Sequence, residues 1–261
     1  MDASTRTTPP FGVVILPSFN SGTKLLETLV AARQAWEPIW VVIDGSTDTS
    51  EKSIAEFSAT AGGIHVIRRA HNGGKGAAVL DALRLAREKG IARALVMDAD
   101  GQHPADAIQS FFDLARKNPD ALILGMPEFG PDAPALRVHG RLFGNFFTRL
   151  NTAWADVADS LFGFRVYPVD ETVEIMDTIK TARRYDFDTE IVIRLVWAGF
   201  RPLNRKVPVR YFDAAAGGSS YFRYFRDNTL LVRTHIRLFT GMLSRLPRLL
   251  AQNRIARRSE A

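Results

Sequence analysis

The sequence predicts an α/β fold: a mostly parallel sheet with flanking helices, plus an amphipathic helix near the C-terminus. Short apolar runs alternate with segments of helical periodicity from residue 11 to residue 124, an order that produces parallel strands joined by helical crossovers. The runs lack the polar alternation of half-exposed strands, so both faces of the sheet should be buried. Polar residues follow several runs immediately, at the edge where open α/β sheets bind ligands.

The first two strands are predicted at residues 11–16 and 39–43, where the sequences FGVVIL and IWVVI are almost wholly apolar. A helix from about Thr23 joins them. Asp44 stands at the carboxyl end of the second strand and is therefore a binding candidate. Asp48 and Glu51 are interpreted instead as a helix N-cap and its reciprocal partner.

A third strand is predicted at residues 64–67, followed by the glycine-rich turn His71-Asn72-Gly73-Gly74-Lys75-Gly76 and a helix that ends at Gly90. A lysine in such a turn at a helix start is suited to phosphate binding. Gly76 stands where a Walker motif has Ser or Thr, so this turn is not a Walker motif.

The fourth strand, at residues 94–97, ends in Asp98-Ala99-Asp100-Gly101-Gln102-His103. Residues two apart in an extended chain point the same way, so the carboxylates of Asp98 and Asp100 should converge. Such a pair repels unless a cation lies between its members, and hard oxygen ligands suit Mg²⁺ or Mn²⁺. The alternative is an ordinary Asp-Gly turn. The polar residues Gln102 and His103 favour the functional interpretation.

A helix at residues 104–117 and a strand at residues 121–124 continue the alternation, and a loop rich in proline and glycine at residues 126–135 interrupts it. Arg137 and Arg141 follow in a helical segment, where they either face phosphates or are simply exposed. The phenylalanines of that segment, Phe143, Phe146 and Phe147, are interpreted as packing residues rather than lipid contacts.

The next segment carries a helix at residues 169–179, an acidic series at Asp186, Asp188 and Glu190, another helix ending near Gly199, and a strand at residues 207–211. Three carboxylates so close together cannot all be buried without partners, and capping of the following helix is the alternative role for them.

The positive charge is concentrated at the C-terminus. The chain has a net charge of +6, and from Arg223 onward Asp227 and Glu260 are the only acids. A basic amphipathic helix at about residues 228–246 is predicted either to lie in a membrane interface or to pack on protein. The predicted divisions are a disordered N-terminus (1–10), the α/β domain (11–212), the amphipathic helix region (213–250) and a disordered basic tail (251–261).

The composition limits the cellular setting. The sequence has no cysteine, which excludes disulfides and thiolate metal sites and fits a cytoplasmic protein. No apolar run reaches the roughly 18 residues of a membrane span, and the polar N-terminus lacks the apolar core of a signal peptide. We therefore expect a cytoplasmic protein that is peripheral on the inner face of the cell membrane.

Five motifs stand in order along residues 11–212: Val14-Ile15-Leu16-Pro17-Ser18-Phe19-Asn20, Val42-Ile43-Asp44-Gly45-Ser46-Thr47-Asp48, Asn72-Gly73-Gly74-Lys75-Gly76, Asp98-Ala99-Asp100-Gly101-Gln102-His103 and Gly163-Phe164-Arg165. Together they resemble the family 2 glycosyltransferases, most closely the dolichyl-phosphate mannose synthase-like branch. The ending, from Tyr221 to Pro247, resembles a bacterial subgroup found with aryl-polyene lipid pathways.

The resemblance implies a GT-A fold, which is a Rossmann-like nucleotide-sugar domain, and an inverting transfer of sugar from a UDP or GDP donor to a polyprenyl phosphate or lipid hydroxyl. It also implies roles by position. The nucleotide-sugar would be bound by Pro17, Phe19, Asn20, Asp44, Lys75 and Asp98, and Mg²⁺ or Mn²⁺ by Asp98, Asp100 and Gln102. The acceptor would meet Arg165, and the catalytic set would be Asp159, Asp100, Arg165 and Glu190. Arg137 and Arg141 are further candidates for acceptor binding because of their charge, not because of the resemblance.

The sequence departs from the family pattern at Ile43, where many relatives have an acid, and at Phe162, where lipid-phosphate glycosyl synthases usually have a small residue. A hydroxyl acceptor requires a carboxylate base, for which Asp159 is preferred to Glu190, whereas an ionised lipid phosphate requires none.

Two other functions remain open at this point: a nucleotidyltransferase, and a non-catalytic membrane-binding protein on the same scaffold. The C-terminal basic residues alternate with aliphatic rather than stacking aromatic ones. That pattern favours an anionic membrane surface over nucleic acid.

Overall fold

A computed structural model describes residues 9–130, 135–209 and 224–259; for residues 135–140, 224–225 and 257–259 it describes the backbone alone. The strands are β1 (Gly12–Ser18), β2 (Ile39–Asp44), β3 (Ile64–Arg69), β4 (Arg93–Val96), β5 (Ala121–Glu128), β6 (Arg165–Pro168) and β7 (Arg201–Pro208). The helices are α1 (Gly22–Ala35), α2 (Ser50–Thr60), α3 (Lys75–Glu88), α4 (Ile108–Lys117), α5 (Ala135–Asn151), α6 (Val169–Thr178), α7 (Phe187–Ala198), α8 (Tyr224–Leu243) and α9 (Leu246–Ser259).

The strands form one sheet in the order β3-β2-β1-β4-β6-β5-β7. All neighbouring pairs are parallel except those that β6 makes with β4 and β5. The predicted α/β fold with a mostly parallel sheet and flanking helices is therefore confirmed. Since β1, β2 and β4 run the same way side by side, the residues that follow them meet at one edge of the sheet.

Apolar side chains fill both faces of the sheet, as the unbroken apolar runs predict. One core packs α3, α6 and α7 against the sheet, with Val79, Leu83, Val173 and Phe187 among its buried members. The other packs α1 and α4, with Leu25, Leu29, Phe111 and Phe112 among its members. The sheet is thus held rigidly between two helical layers, which fixes its polar edge.

The later strands differ from the prediction. The short strand β6 was not predicted, because a buried antiparallel insertion of this length has no periodicity of its own. β5 runs on to Glu128, into the predicted loop, and β7 begins at Arg201 rather than at residue 207. Both extensions have one cause, since the two strands pair in parallel along their whole length.

The start of α2 also differs. Asp48 does not cap the helix with Glu51: its carboxylate accepts the N–H and hydroxyl of Ser50 and the backbone N–H of Gly22. Glu51 forms an ion pair with Arg68 instead, at 2.6 Å. Asp48 is structural, as expected, but it joins two loops rather than forming a capping box.

The C-terminal helices α8 and α9 pack on the domain. Leu238, Met242 and Leu249 are buried against Trp197 and Ile193 of α7. The predicted disordered tail differs from the structure, in which α9 continues to Ser259. Asn253 helps to hold this helix, because its side-chain amide donates to two backbone carbonyl oxygens, at 2.7 and 3.1 Å. The predicted N-terminal disorder and the Ala-Gly-Ser stretch before α8 fall largely outside the described residues.

No helix in the described ranges combines the length and the apolarity that crossing a membrane requires.

Candidate active site

A cleft of about 650 Å³ opens at the carboxyl ends of β1, β2 and β4. It lies where the order of the parallel strands predicts a ligand site. The predicted residues that line it are Pro17, Phe19, Asp44, Lys75, Asp98, Asp100, Gln102 and Arg141. Parallel pairing therefore brings together four motifs that are far apart in the sequence.

Asp98, the first carboxylate after β4, is held by charged and polar neighbours. Its Oδ1 lies 2.7 Å from the Nζ of Lys75, and its backbone N–H donates to the Nδ1 of His103 at 3.0 Å. Burial would raise the pKa of Asp98, but the charge of Lys75 outweighs this and lowers the pKa to about 2. Burial lowers the pKa of His103 to about 4, so its ring is neutral and can accept that hydrogen bond. Asp98 therefore carries its full charge in the cleft.

Asp100 is the carboxylate of the predicted pair that remains open to a cation. Burial, and then the charge of Asp98, raise the pKa of Asp100 to about 6. Its Oδ1 accepts the backbone N–H of Gln102 at 3.0 Å. A divalent ion beside this carboxylate would relieve the unfavourable burial of its charge.

The donor set fits a metal that is shared with a phosphate group. Among the described residues, no cluster of three or more His, Asp or Glu side chains could hold an ion alone. Mg²⁺ at phosphate sites commonly takes one or two protein carboxylates and completes its shell with phosphate oxygens and water. Asp100, with Gln102 beside it on the cleft wall, matches that requirement.

Lys75, the first residue of α3, lies between two carboxylates. Its Nζ is 2.7 Å from Asp98 and also 2.7 Å from the Oδ2 of Asp188. Burial would lower the pKa of Lys75, but the charges of Asp188 and Asp98 outweigh it and hold the pKa well above its usual value. Gly163 leaves room for this cluster, since a Cβ at that position would lie 2.4 Å from the Nζ. The close approach of Lys75 thus explains why the Gly-Phe-Arg motif begins with a glycine.

Asp44 and Asn20, both predicted to bind the nucleotide, hold loops in this structure. Asp44 accepts the backbone N–H groups of Gly73 and Gly74 at 2.9 and 2.8 Å, and so shapes the glycine-rich turn from its place on the cleft wall. Asn20 has a left-handed backbone (φ 49°), and its side-chain oxygen accepts the backbone N–H of Thr47 at 2.8 Å. Asn20 is not among the residues that line the cleft.

Asp159 lies beneath the cleft wall and is only 4% exposed. The Nη1 of Arg141 lies 3.0 and 2.9 Å from its two carboxylate oxygens, and the backbone N–H groups of Leu161 and Phe162 also donate to it. A carboxylate with these partners is poorly placed to take a proton from a hydroxyl. Its geometry suits holding Arg141 on the wall rather than acting as the expected base.

Arg165 and Glu190 lie behind the cleft, and each is 0% exposed. Arg165 enters the buried strand β6, and its Nη1 donates to the backbone carbonyl of Asp188 at 2.5 Å. Glu190 lies on the buried face of α7 and accepts from Arg194 and Arg237 at 2.8 and 2.5 Å. The expected direct contact with substrate does not fit these positions, which instead suit supporting the site. The side chain of Arg137 lies outside the described residues.

Arg184, Tyr185 and Arg226 are among the cleft-wall residues that had no predicted role there. Burial and the charge of Asp98 raise the pKa of Tyr185 to about 12. Asp188 also lines the cleft, although the sequence offered helix capping as an explanation for it. The basic and aromatic residues just before the acidic series could have indicated a place in the site. Because this segment is far from Lys75 in the sequence, the ion pair between Lys75 and Asp188 could not be predicted.

An exposed apolar surface, formed by α5 and α8, adjoins the cleft residues Arg141 and Arg226. Its members are Leu142, Phe143 and Phe146 on α5 and Val232, Ile236, Phe239 and Leu243 on α8, with exposures from 38% to 63%. The two helices meet where the rings of Phe147 and His235 pack at 5.6 Å. The rings of Phe143 and Phe146 pack against Phe147 at 4.8 and 5.4 Å, as the packing interpretation predicts, but both side chains also remain more than half exposed.

The family model described as "Glycosyl transferase family 2" matches residues 13–174. An undecaprenyl-phosphate mannosyltransferase of Micrococcus luteus is 25% identical, with 79% of this chain and 86% of that protein covered. A UDP-N-acetylglucosamine–dolichyl-phosphate N-acetylglucosaminyltransferase of Methanococcus voltae is also 25% identical, with 69% and 78% covered. An uncharacterised protein of Methanocaldococcus jannaschii is 26% identical, with 78% and 90% covered.

Solved structures share the fold. A mannosyltransferase from Pyrobaculum calidifontis in complex with GDP-Man and Mn²⁺ has a TM-score of 0.62 and 18% identity, with 93% of this chain and 70% of that chain covered. A glucosyl-3-phosphoglycerate synthase from Mycobacterium tuberculosis, in complex with Mn²⁺, UDP-glucose and phosphoglyceric acid, has a TM-score of 0.59 and 17% identity, with 88% and 79% covered.

Proposed function

This chain belongs to glycosyl transferase family 2, and from that premise we propose that it moves a sugar from a nucleotide-diphosphate donor to a lipid-linked phosphate, with inversion and with a divalent metal. Membership makes it a glycosyltransferase of the hexosyltransferase kind and decides against the nucleotidyltransferase alternative. The polyprenyl-phosphate enzymes among its relatives support the dolichyl-phosphate mannose synthase-like branch. The single observation that carries the proposal is the cluster of Asp98, Asp100 and Lys75 at the carboxyl edge of the sheet.

The cleft offers a binding place for the donor. Pro17 and Phe19 give it an apolar wall beside the glycine-rich turn, which would receive the nucleoside. Asp100 and Gln102 would hold Mg²⁺ or Mn²⁺ together with the diphosphate. A bound divalent ion neutralises the charge that develops on the leaving diphosphate. Tyr185 stays protonated through the physiological range, and it can donate a hydrogen bond into the cleft.

The carboxylates of the cleft favour an acceptor that is already ionised. Among the described lining residues, Asp44 accepts two backbone N–H groups, and Asp98 and Asp188 are both paired with Lys75. Asp100 is the remaining carboxylate, and the proposed metal would use it. A hydroxyl acceptor needs a free base, whereas a phosphate does not. The shortage of a base therefore supports a phosphate acceptor.

Basic side chains of the cleft suit that acceptor. Arg141, Arg184 and Arg226 line it and can pair with phosphate oxygens. Phe162, which departs from the family pattern, is 3% exposed and packs against the ring of His103 at 4.6 Å. Its bulk therefore lies in the core, and the departure leaves the acceptor side of the cleft unobstructed.

We further propose that the apolar surface of α5 and α8 rests on an anionic membrane. Arg233 on α8 and Arg149 on α5 add positive charge to helices whose exposed faces are apolar. Such a combination suits the headgroup boundary of a bilayer, where a lipid-linked phosphate is found. Arg141 and Arg226, one on each helix, would then face a phosphate at the level of the headgroups.

The test is the thermal stability of wild type and Asp100→Asn with UDP, GDP and their sugar conjugates, with and without Mn²⁺. A ligand at about a hundredfold excess over its Kd stabilises the native state by about 2.7 kcal/mol. We expect a Mn²⁺-dependent rise in Tm with one nucleotide class, lost in Asp100→Asn. The absence of a rise with any nucleotide in wild type would overturn the proposed donor site.

A further inference from the structure

The ammonium of Lys75 occupies the position that a cation would take between two carboxylates. Its Nζ lies 2.7 Å from Asp98 and 2.7 Å from Asp188, so the two carboxylates share it. The side chain of Lys75 is 12% exposed and that of Asp188 is 7% exposed, so water screens this pair weakly. Of the predicted metal pair, Asp98 is therefore already paired with a cation, and only Asp100 is open to a metal ion.

We propose that Lys75 is a built-in substitute for a divalent cation between Asp98 and Asp188, and that it leaves Asp100, of these three carboxylates, as the point of entry for the metal. The inference deepens the proposed function and rests on it, since it assumes a nucleoside diphosphate in the cleft. One carboxylate binds a divalent ion weakly, and ligand charge sets the affinity. The metal therefore binds firmly only when the diphosphate supplies further oxygens.

A second observation concerns the other carboxylate oxygen of Asp188. Its Oδ1 is buried and has no hydrogen-bond partner among the described residues. The Nη1 of Arg165 lies 3.8 Å from this oxygen, beyond hydrogen-bonding distance. Removal of the lysine would also release Oδ2, which the ammonium contacts at 2.7 Å, and this oxygen could then bind a divalent ion.

The space around the Lys75 ammonium also depends on a glycine. A Cβ at Gly163 would lie 2.4 Å from the Nζ of Lys75 and 2.9 Å from the Oδ2 of Asp98. Replacement of the lysine by glutamine removes one positive charge at this point and leaves Asp98 and Asp188 without the ammonium that they share. Two carboxylates around one space form a better divalent site than Asp100 alone.

The experiment is calorimetric titration of MnCl₂ into the full-length protein, with and without UDP or GDP. We expect wild type to bind Mn²⁺ firmly only with the nucleotide, and Lys75→Gln to bind it without nucleotide at least about tenfold more tightly than wild type does. Lys24→Gln is the matched control, since it removes a lysine from the same cleft and should gain no Mn²⁺ affinity. The double variant Lys75→Gln/Asp188→Asn should lose the gain.

Two results would overturn the inference: Lys75→Gln that gains no affinity for Mn²⁺, or wild type that binds Mn²⁺ equally well with and without nucleotide. A wild type that binds no nucleotide with Mn²⁺ present would overturn the proposed function as well, so the two failures are distinguishable. If circular dichroism shows that Lys75→Gln is unfolded, Lys75→Met replaces it. The comparison of Mn²⁺ binding by wild type with and without nucleotide needs no variant.

Discussion

Acid should weaken the fold through His235, a residue of α8 that is 7% exposed. Its Nδ1 lies 3.1 Å from the side-chain nitrogen of Asn151, which also donates to the backbone carbonyl of His235. Because the amide donates, the ring nitrogen must accept, and protonation would set two donors against each other. Burial lowers the pKa of His235 to about 4.

The sign and size follow from proton binding. The unfolded chain takes up a proton at His235 below a pKa of 6.5, whereas the folded protein resists until about pH 4. The unfolded state therefore binds more protons between these values, and stability that is fully present above the unfolded pKa is lost as the pH falls. At about pH 5.5, one unit below the unfolded pKa, the loss at this residue is about 1.4 kcal/mol.

Urea unfolding of wild type and His235→Gln at about pH 7.5 and about pH 5.5 measures this loss. Glutamine can accept the same hydrogen bond but does not titrate, so wild type should lose about 1.4 kcal/mol more than the variant on acidification. Other titrating groups affect both proteins equally and cancel in the difference. Equal losses in the two proteins would refute the assignment of a neutral, buried His235.

Three further predictions concern other parts of the fold. Glu190→Gln should destabilise the protein by roughly 3 kcal/mol, because it leaves two arginines facing a neutral group. The rise in Tm on nucleotide binding should persist in this variant. Loss of that rise would show that Glu190 has a role in nucleotide binding. The double variant Phe143→Ser/Phe146→Ser should float less with anionic liposomes while its Tm stays within about 2 °C of wild type, and unchanged flotation would contradict the membrane surface. Gly163→Ala should lower both the Tm and the nucleotide affinity, because the new methyl group meets the Lys75 ammonium. The control Gly130→Ala has open space around its Cβ position and should alter neither. Equal behaviour of the two alanine variants would contradict the steric reason given for Gly163.

Several features of the site were accessible from the sequence because they are local. Asp98 and Asp100 follow an apolar run directly, and strand geometry alone places them on one side of the chain. Lys75 stands at the start of a well-marked helix after glycines, so its place near the cleft followed from the alternation of strands and helices. For each, the direction of the chain and the parallel arrangement of the strands were sufficient.

Other roles depended on distant partners. Arg165 and Glu190 carry charges that suggest chemistry, yet each is buried by elements far away in the sequence. Asp159 was a reasonable candidate base until its contact with Arg141 showed that its oxygens are occupied. Charge and motif position indicate that a residue matters, whereas only its packing partners decide whether it touches substrate or supports a residue that does.

The sequence by itself determined the α/β class, the parallel direction of the early strands and the edge at which ligands bind, because these depend on periodicity and on polar residues that follow apolar runs. Tertiary structure alone decided that Lys75 is shared between Asp98 and Asp188, that β6 inserts antiparallel, and that Phe143 faces outward. The physical reason is that ion pairing, strand pairing and burial depend on distances in space between residues far apart in the chain. Local patterns carry no record of those distances.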